Sequence, residues 1–256
     1  GLDPKERVHF RNILEGYAQE KIVLLSTHIV SDLEAIAHTV FLMKDGQIQT
    51  RGTVPELLRH LDLFRQIPKT QSRESYAIPS HQGHREPPSP EASRWEEWIC
   101  IMMCQEAPDR GYPFGRLVDY QVPLKAPGGG EQNQGLGKID LLAHSGDTAT
   151  LLELKAPNST EHPLKAFLEI YTYWKLLGGL VDAQNFLDNS AAKGAERLDK
   201  AVLLYRDSKI ARRLEAVSPE MRDFLRQLEV KCYLVDQVSS GPYARYLFDH
   251  MTEYPL

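Results

Sequence analysis

Two carboxylic acids and one lysine on neighbouring predicted strands are the residues best suited to chemistry. Asp140 lies in the predicted strand 137–144, and Glu153 and Lys155 lie two residues apart in the predicted strand 148–156. Two carboxylates that face each other repel, and a divalent cation between them turns that repulsion into a binding site. Mg²⁺, or Mn²⁺ in its place, would bind there with waters and phosphate oxygens. With Lys155 to orient or deprotonate a water, or to neutralise charge on phosphorus, this set predicts phosphodiester hydrolysis.

The tight turn between these strands determines whether the three side chains meet. Gly146-Asp147 suits a two-residue turn with glycine first, as type II′ requires. In that register Asp140 lies directly opposite Glu153, with Cβ atoms about 5 Å apart. Lys155 shares their face, because side chains two apart on a strand point the same way. The other face is apolar and is predicted to be a core face; it contains Ile139, Leu141, Ala143, Leu152 and Leu154. The structural alternative is a surface ion pair between Glu153 and Lys155 on one strand face, which would contribute little to stability.

The segments around this hairpin predict an α/β fold. Apolar spacing predicts, in order, helix 94–105, strands 117–124, 137–144 and 148–156, helix 164–177, strand 201–205, the mostly helical 210–228 and strand 230–235. This order is an αβββαβ core with a mixed sheet. Residues 1–62 alternate helices and strands and predict a piece of an α/β domain. Its predicted elements include a first helix from Pro4 to about Ala18 and a hairpin of strands 40–43 and 47–50 around the Asp45-Gly46 turn. Between the two pieces, residues 63–93 are polar and proline-rich and predict a flexible linker.

Composition and charge favour a globular protein of the cytoplasm. The 256 residues are 42% apolar and carry a formal net charge of -5. The chain as a whole therefore lacks the strong positive potential that favours binding to nucleic acid. Three cysteines form no even disulfide set, which favours a reducing compartment. No apolar run approaches the roughly 18 residues that a membrane span needs, and no signal peptide opens the chain. We therefore expect a cytoplasmic protein without direct membrane insertion.

The second piece resembles the PD-(D/E)XK nuclease superfamily, which includes restriction-like and RecB-like nucleases. The resemblance rests on GKIDLL at 137–142, LLELK at 151–155 and LEIYTYW at 168–174, within residues 94–206. It implies a restriction-endonuclease-like fold for 94–256, with Asp140 and Glu153 as metal ligands and Lys155 as the catalytic lysine.

Four further residues are predicted to belong to the site. The resemblance implies that Glu97, on the preceding helix, is the extra acidic residue that some members place near the metal, and thus a third metal ligand; the alternative is a solvated helix position. Glu169 and Tyr173 occupy the places where RecB-like members carry a Gln and a Tyr. Lys138 lies opposite Lys155 in the register predicted from the turn, where it would contact phosphate or would simply be solvated. Glu169, Tyr173 and Lys138 are thus predicted to be accessory residues.

The first piece resembles the C-terminal third of an ABC-transporter ATPase subunit. The matching motifs are GLDP at 1–4, LLSTH at 24–28, DLE at 32–34, MKDG at 43–46 and GTVPELL at 52–58. The resemblance implies that Asp3 is the D-loop aspartate and that His28 is the switch histidine at a γ-phosphate; the alternative for His28 is a capped turn.

Several ATPase parts are missing from the first piece. It lacks the glycine-rich phosphate loop, the signature loop and the acidic strand that holds Mg²⁺. ATP binding and hydrolysis are therefore not expected of this chain alone. The start at Gly1 predicts a fragment, a processed chain or a misjudged gene start.

The sequence thus predicts a Mg²⁺-dependent nuclease domain fused to a truncated ABC ATPase segment, with nucleic acid, and DNA in particular, as the expected substrate. The alternative is a catalytically inactive nuclease-fold domain that serves as an accessory on the ATP-binding subunit of an ABC transporter. An ABC ATPase or a transmembrane subunit would then be its partner. Metal-dependent cleavage distinguishes the two.

Overall fold

A computed structural model describes most of the second piece and little of the first. The described residues are 14, 16, 39–44, 47–53, 71–81, 83, 85, 86, 88, 94–125, 133, 137–179, 182–236 and 250–256. In the first piece, β1 (Val40–Lys44) pairs with β2 (Gln47–Gly52) in an antiparallel hairpin, as the sequence predicts. Of the other predicted elements of 1–62, the structure describes only residues 14 and 16 of the predicted first helix, and both are helical; Asp3 and His28 lie outside the described residues.

The second piece is an α/β unit around a six-stranded mixed sheet. Its helices are α1 (Trp95–Glu106), α2 (Pro163–Leu176), α3 (Gln184–Asp188), α4 (Lys209–Glu215) and α5 (Pro219–Gln227). Its strands are β3 (Arg116–Pro123), β4 (Lys138–Ser145), β5 (Thr148–Lys155), β6 (Arg197–Tyr205), β7 (Lys231–Val235) and β8 (Met251–Glu253). The predicted αβββαβ order is confirmed.

Strand order in the sheet follows chain order from β3 to β8. The first three strands form antiparallel pairs, β5, β6 and β7 are parallel, and β8 returns antiparallel to β7. The parallel pairs need helical crossovers, which α2 with α3 and α4 with α5 supply. The predicted helix 210–228 is two helices, because Ser218 caps the N–H of Met221 and Pro219 begins a new first turn.

Two apolar layers cover the sheet, one on each face. The layer beneath α2, α4 and α5 includes Leu142, Leu151, Val202, Phe167 and Phe224. The layer beneath α1 includes Leu141, Leu152, Leu203, Ile99 and Met103. Adjacent residues of the central strands enter opposite layers, because the side chains of a strand alternate. The predicted apolar face lies in the layer of α1, except that Ile139 packs in the other layer.

Part of the segment predicted to be a linker packs against this unit. Within 71–81, the ring of Tyr76 is fully buried and stands edge-on to Phe186, with 5.0 Å between ring centroids. The backbone N–H of Tyr76 donates to the carbonyl of Asn189 at 2.7 Å, and Asn185 donates to the carbonyl of Ser72 at 2.7 Å. These residues therefore belong to the folded unit, because one aromatic anchor and partnered backbone groups outweigh their polar composition.

No helix formed by the described residues is long and apolar enough to span a bilayer.

Candidate functional site

The turn between β4 and β5 has the predicted geometry. Gly146 has a φ of +58°, and Asp147 is not among the residues with positive φ, which matches a type II′ turn. Ser145 pairs with Thr148, and the same register continues to the pair of Leu141 and Leu152. The register predicted from the turn is therefore confirmed over the paired residues.

The strands separate one residue before the predicted pair of carboxylates. The paired register of β4 and β5 ends at Leu141 and Leu152, and the backbone N–H of Leu154 instead donates to Oδ2 of Asp140 at 2.9 Å. The other oxygen, Oδ1, accepts a hydrogen bond of 2.8 Å from Nε2 of Gln121. Asp140 is thus buried with both carboxylate oxygens hydrogen-bonded at the open end of the hairpin.

Lys155 lies within ion-pair distance of three carboxylates. Its Nζ is 2.6 Å from Oε1 of Glu153, 3.2 Å from Oε2 of Glu161 and 3.4 Å from Oε2 of Glu169. The side chains of Glu153 and Lys155 are only 4% and 8% exposed, so this pair is not the surface ion pair of the structural alternative. Glu161, in the loop before α2, is a member of the cluster that the sequence analysis missed.

Burial is the largest influence on the pKa values of the two buried carboxyls in this pocket, and repulsion from neighbouring carboxylates adds to it. Burial raises the pKa of Asp140 to about 7, although the N–H of Leu154 and the charge of Lys155 act to lower it. Burial, followed by repulsion from Asp140, raises the pKa of Glu153 well above its usual value. Burial would lower the pKa of Lys155, but the carboxylates of Glu153 and Glu169 outweigh it and raise that pKa. The pocket therefore suits an additional cation.

Glu96, rather than Glu97, reaches this cluster from α1. Oε1 of Glu96 accepts a hydrogen bond of 3.1 Å from the backbone N–H of Ala156, the residue after Lys155, and its charge helps to raise the pKa of Asp140. Glu97 instead contacts Arg85 at 3.3 Å and Arg94 at 3.5 Å.

A sequence signal for Glu96 exists. It precedes the buried Cys100 by four positions, and residues four apart share a helix face. Its charge is one of those that raise the pKa of Cys100, together with the charges of Asp140 and Glu153, so this face of α1 meets the site.

The accessory residues divide into two groups. Glu169 and Tyr173 lie at the cluster, where the hydroxyl of Tyr173 donates to Oε1 of Glu169 at 3.0 Å. Gly137, with a φ of +86°, makes this approach feasible, because a Cβ there would lie 2.4 Å from the hydroxyl oxygen of Tyr173. Lys138 is exposed at the first residue of β4. The structure thus brings Glu169 and Tyr173, but not Glu97, to Asp140, Glu153 and Lys155.

The donor set fits a hard divalent cation. Within the described part of the chain, no three His, Cys, Asp or Glu side chains form a group that could hold a metal ion by themselves. Mg²⁺ commonly takes only one or two carboxylates and completes its octahedron with waters and phosphate oxygens. Asp140 and Glu153 can supply those two carboxylates, whose pKa values are raised first by burial and then by repulsion from neighbouring carboxylates.

Comparison with known proteins finds one partial relative. The chain is 32% identical over 66 residues to the energy-coupling factor transporter ATP-binding protein EcfA2 of Lactococcus lactis subsp. cremoris (strain MG1363). The match covers 25% of this chain and 23% of the relative, so the chain spans less than a quarter of the protein that it matches. No family model and no solved structure matches the chain. The similarity supports the ABC ATPase part of the resemblance and leaves the nuclease resemblance a prediction.

Proposed function

We propose that the domain built on β3–β8 is a Mg²⁺- or Mn²⁺-dependent nuclease that hydrolyses phosphodiester bonds of nucleic acid, with DNA as the expected substrate. The observation that carries the proposal is the buried cluster of Asp140, Glu153 and Lys155, in which one ammonium faces several carboxylates. Burying uncompensated carboxylates destabilises a fold, and such perturbed groups concentrate at functional sites.

Each residue has a distinct part in the proposed reaction. Asp140 and Glu153 would hold the cation, which when bound supplies a water of lowered pKa and a positive charge for the transition state. Lys155 would orient the attacking water or stabilise the charge that develops on the phosphate oxygens. Glu169 and Glu161 hold the ammonium of Lys155 in place, and Tyr173 fixes Glu169 through its hydroxyl.

The alternative is an inactive nuclease-fold domain that accompanies the ATP-binding subunit of an ABC transporter. Two observations favour it: the partial similarity to a transporter ATP-binding protein, and the full engagement of Lys155 by three carboxylates. In this alternative the cluster is a structural charge network, and the partner is an ABC ATPase or a transmembrane subunit. Both proposals place the protein in the cytoplasm. Neither includes ATP hydrolysis by this chain alone.

Cleavage assays distinguish the two proposals. Single- and double-stranded DNA and RNA are incubated with the full chain in Mg²⁺, in Mn²⁺ and in a chelator. The nuclease proposal expects metal-dependent cleavage that Glu153→Gln reduces by at least 100-fold, because removal of a ligand carboxylate empties the cation site. The matched control is Glu215→Gln, which neutralises an exposed carboxylate on α4. Cleavage that survives Glu153→Gln contradicts the assignment, and the absence of both cleavage and metal binding favours the accessory domain.

A further inference from the structure

A bulge in β3 brings Gln121 opposite Asp140. Near the start of the strand Leu117 pairs with Ala143, but the register shifts by one residue before Asp119, which pairs with Leu142. Tyr120 then pairs with Leu141 and Val122 with Ile139, so Gln121 lies across from Asp140. Without the extra residue, the neighbouring Tyr120 would occupy this place, because a slip of one residue turns every side chain to the other face.

The backbone of Gln121 adopts a conformation that glutamine normally avoids. Its φ is +47°, in the left-handed region that favours glycine and, among other residues, asparagine. Only one other described non-glycine residue, Glu229, shares a positive φ. Gln121 lies within a strand, where such a conformation persists only if the surrounding structure enforces it. Glycine would relieve the strain but would remove the side-chain amide.

That amide holds one edge of the Asp140 carboxylate. Nε2 of Gln121 donates to Oδ1 at 2.8 Å, while the backbone N–H of Leu154 donates to Oδ2 at 2.9 Å. Two donors from two different strands therefore hold the two oxygens. Each carboxylate oxygen keeps a lone pair for a further partner. The pair of donors thus sets the rotation of the carboxylate without blocking it.

We propose that Gln121 is a positioning residue that orients the Asp140 carboxylate to receive the catalytic cation. The inference rests on the proposed nuclease function, since it needs Asp140 to be a ligand. Residues that orient metal ligands typically change metal affinity by about 10- to 100-fold when they are removed. The backbone strain at Gln121 then follows from the need for a side-chain amide at a position of β3 where glycine would suit the positive φ better.

Binding of Mn²⁺ to the full chain tests this inference without reference to cleavage. Isothermal titration is compared for the parent, for Gln121→Gly and for Gln121→Met, which keeps the length of the side chain but has no donor. We expect both variants to bind Mn²⁺ on the order of 10- to 100-fold more weakly. We also expect the melting temperature of metal-free Gln121→Gly to equal or exceed that of Gln121→Met, because glycine accepts the positive φ. If Gln121 had only a structural role, the variant with the equal or higher melting temperature, Gln121→Gly, would not bind Mn²⁺ as weakly as we expect.

The matched control is Gln184→Ala. Gln184 also donates from Nε2 to a carboxylate oxygen, Oδ1 of Asp188 at 2.9 Å, but at an exposed position on α3. It should leave Mn²⁺ affinity unchanged. If the parent binds Mn²⁺ and both Gln121 variants bind within twofold of it, the positioning role is wrong and the proposed function stands. If the parent binds no Mn²⁺, the proposed function and this inference both fail. If Gln121→Gly does not fold, the Gln121→Met variant decides the outcome.

Discussion

Nζ of Lys155 lies 2.6 Å from Oε1 of Glu153, two residues earlier on the same buried strand. An ion pair between Arg226 and Asp223 has the same N–O distance of 2.6 Å, but both of its side chains are more than half exposed. The two pairs have the same N–O distance and differ in their access to water. Because the Glu153–Lys155 pair is buried, loss of one of its partners should change the stability of the protein much more than loss of one partner of the exposed pair.

The first prediction concerns this difference. Lys155→Met leaves Glu153 as an uncompensated buried carboxylate, and we expect it to lower the free energy of unfolding by about 3 kcal/mol. The double variant Glu153→Gln with Lys155→Met should recover part of that loss, because it removes both charges. Asp223→Asn, which breaks the exposed pair, should cost less than about 1 kcal/mol. Urea unfolding measures all three, and equal losses in the buried and exposed variants would contradict the argument.

The second prediction compares the adjacent acids of α1. Glu96 accepts a hydrogen bond from the N–H of Ala156 beside the cluster of Asp140, Glu153 and Lys155, whereas Glu97 contacts Arg85 and Arg94. Glu96→Gln should therefore reduce metal-dependent cleavage by about tenfold, more than Glu97→Gln does. Rates at saturating Mg²⁺ and at limiting Mg²⁺ provide the measurement. A larger loss for Glu97→Gln would restore the role that the family resemblance implies for Glu97.

The third prediction concerns the docked segment 71–81. Tyr76→Ala removes a fully buried ring and should lower the free energy of unfolding by about 3 kcal/mol. Tyr76→Phe should cost about 1 kcal/mol, because it removes only the hydroxyl that accepts from the N–H of Ser72 and donates to the carbonyl of Lys125. Thermal and urea unfolding give both values. If Tyr76→Ala is silent, residues 71–81 are a linker, as their composition predicts.

The fourth prediction is a dependence of stability on pH that arises from Lys200. This lysine is buried on β6, with Nζ 3.7 Å from the ring centroid of Trp174, and burial lowers its pKa from 10.5 to about 8. The unfolded chain therefore holds this proton more tightly, so Lys200 makes the free energy of unfolding rise with pH between about 8 and 10.5. Below pH 8 the amine of Lys200 is protonated in both states, and the folded protein bears the full free-energy cost of burying its charge.

Lys200→Met tests this dependence. It should stabilise the protein at pH 7 by on the order of 1 kcal/mol, since the lost attraction to the ring offsets part of the relieved desolvation. It should also flatten the rise in stability between pH 8 and 10. Lys209→Met, which removes an exposed lysine at the first residue of α4, is the matched control and should leave the rise unchanged. An unaltered pH profile in Lys200→Met would refute the assignment.

Much of the fold could be predicted from local patterns. The glycine-first turn at Gly146 implied the register of β4 and β5, and the αβββαβ order followed from apolar spacing. The short β8 had no comparable pattern, because it is only three residues long and half exposed. The break near Ser218 was readable as a helix cap followed by proline, yet the apolar periodicity across it indicated only that 210–228 is mostly helical.

The site was predictable only in part. The grouping of Glu153 and Lys155 depends on positions two apart on one strand and on one turn, and both are local. The contribution of Glu161, Glu96 and Gln121 depends on contacts between elements distant in the chain. The bulge that aims Gln121 inserts one residue into β3 without a glycine or proline to mark it. No local signal could therefore have indicated it.

By itself, the amino-acid sequence determined the α/β class, the hairpin register and the face that Glu153 and Lys155 share, because these follow from side-chain alternation and turn sterics within a few residues. Only the tertiary structure decided that β4 and β5 separate at Asp140 and that Tyr76 anchors segment 71–81 to the folded unit. It also decided that Glu96 rather than Glu97 approaches the cluster. Those outcomes depend on the packing of α1, α2 and β3 around one pocket, where burial and charge are set by residues far apart in the chain.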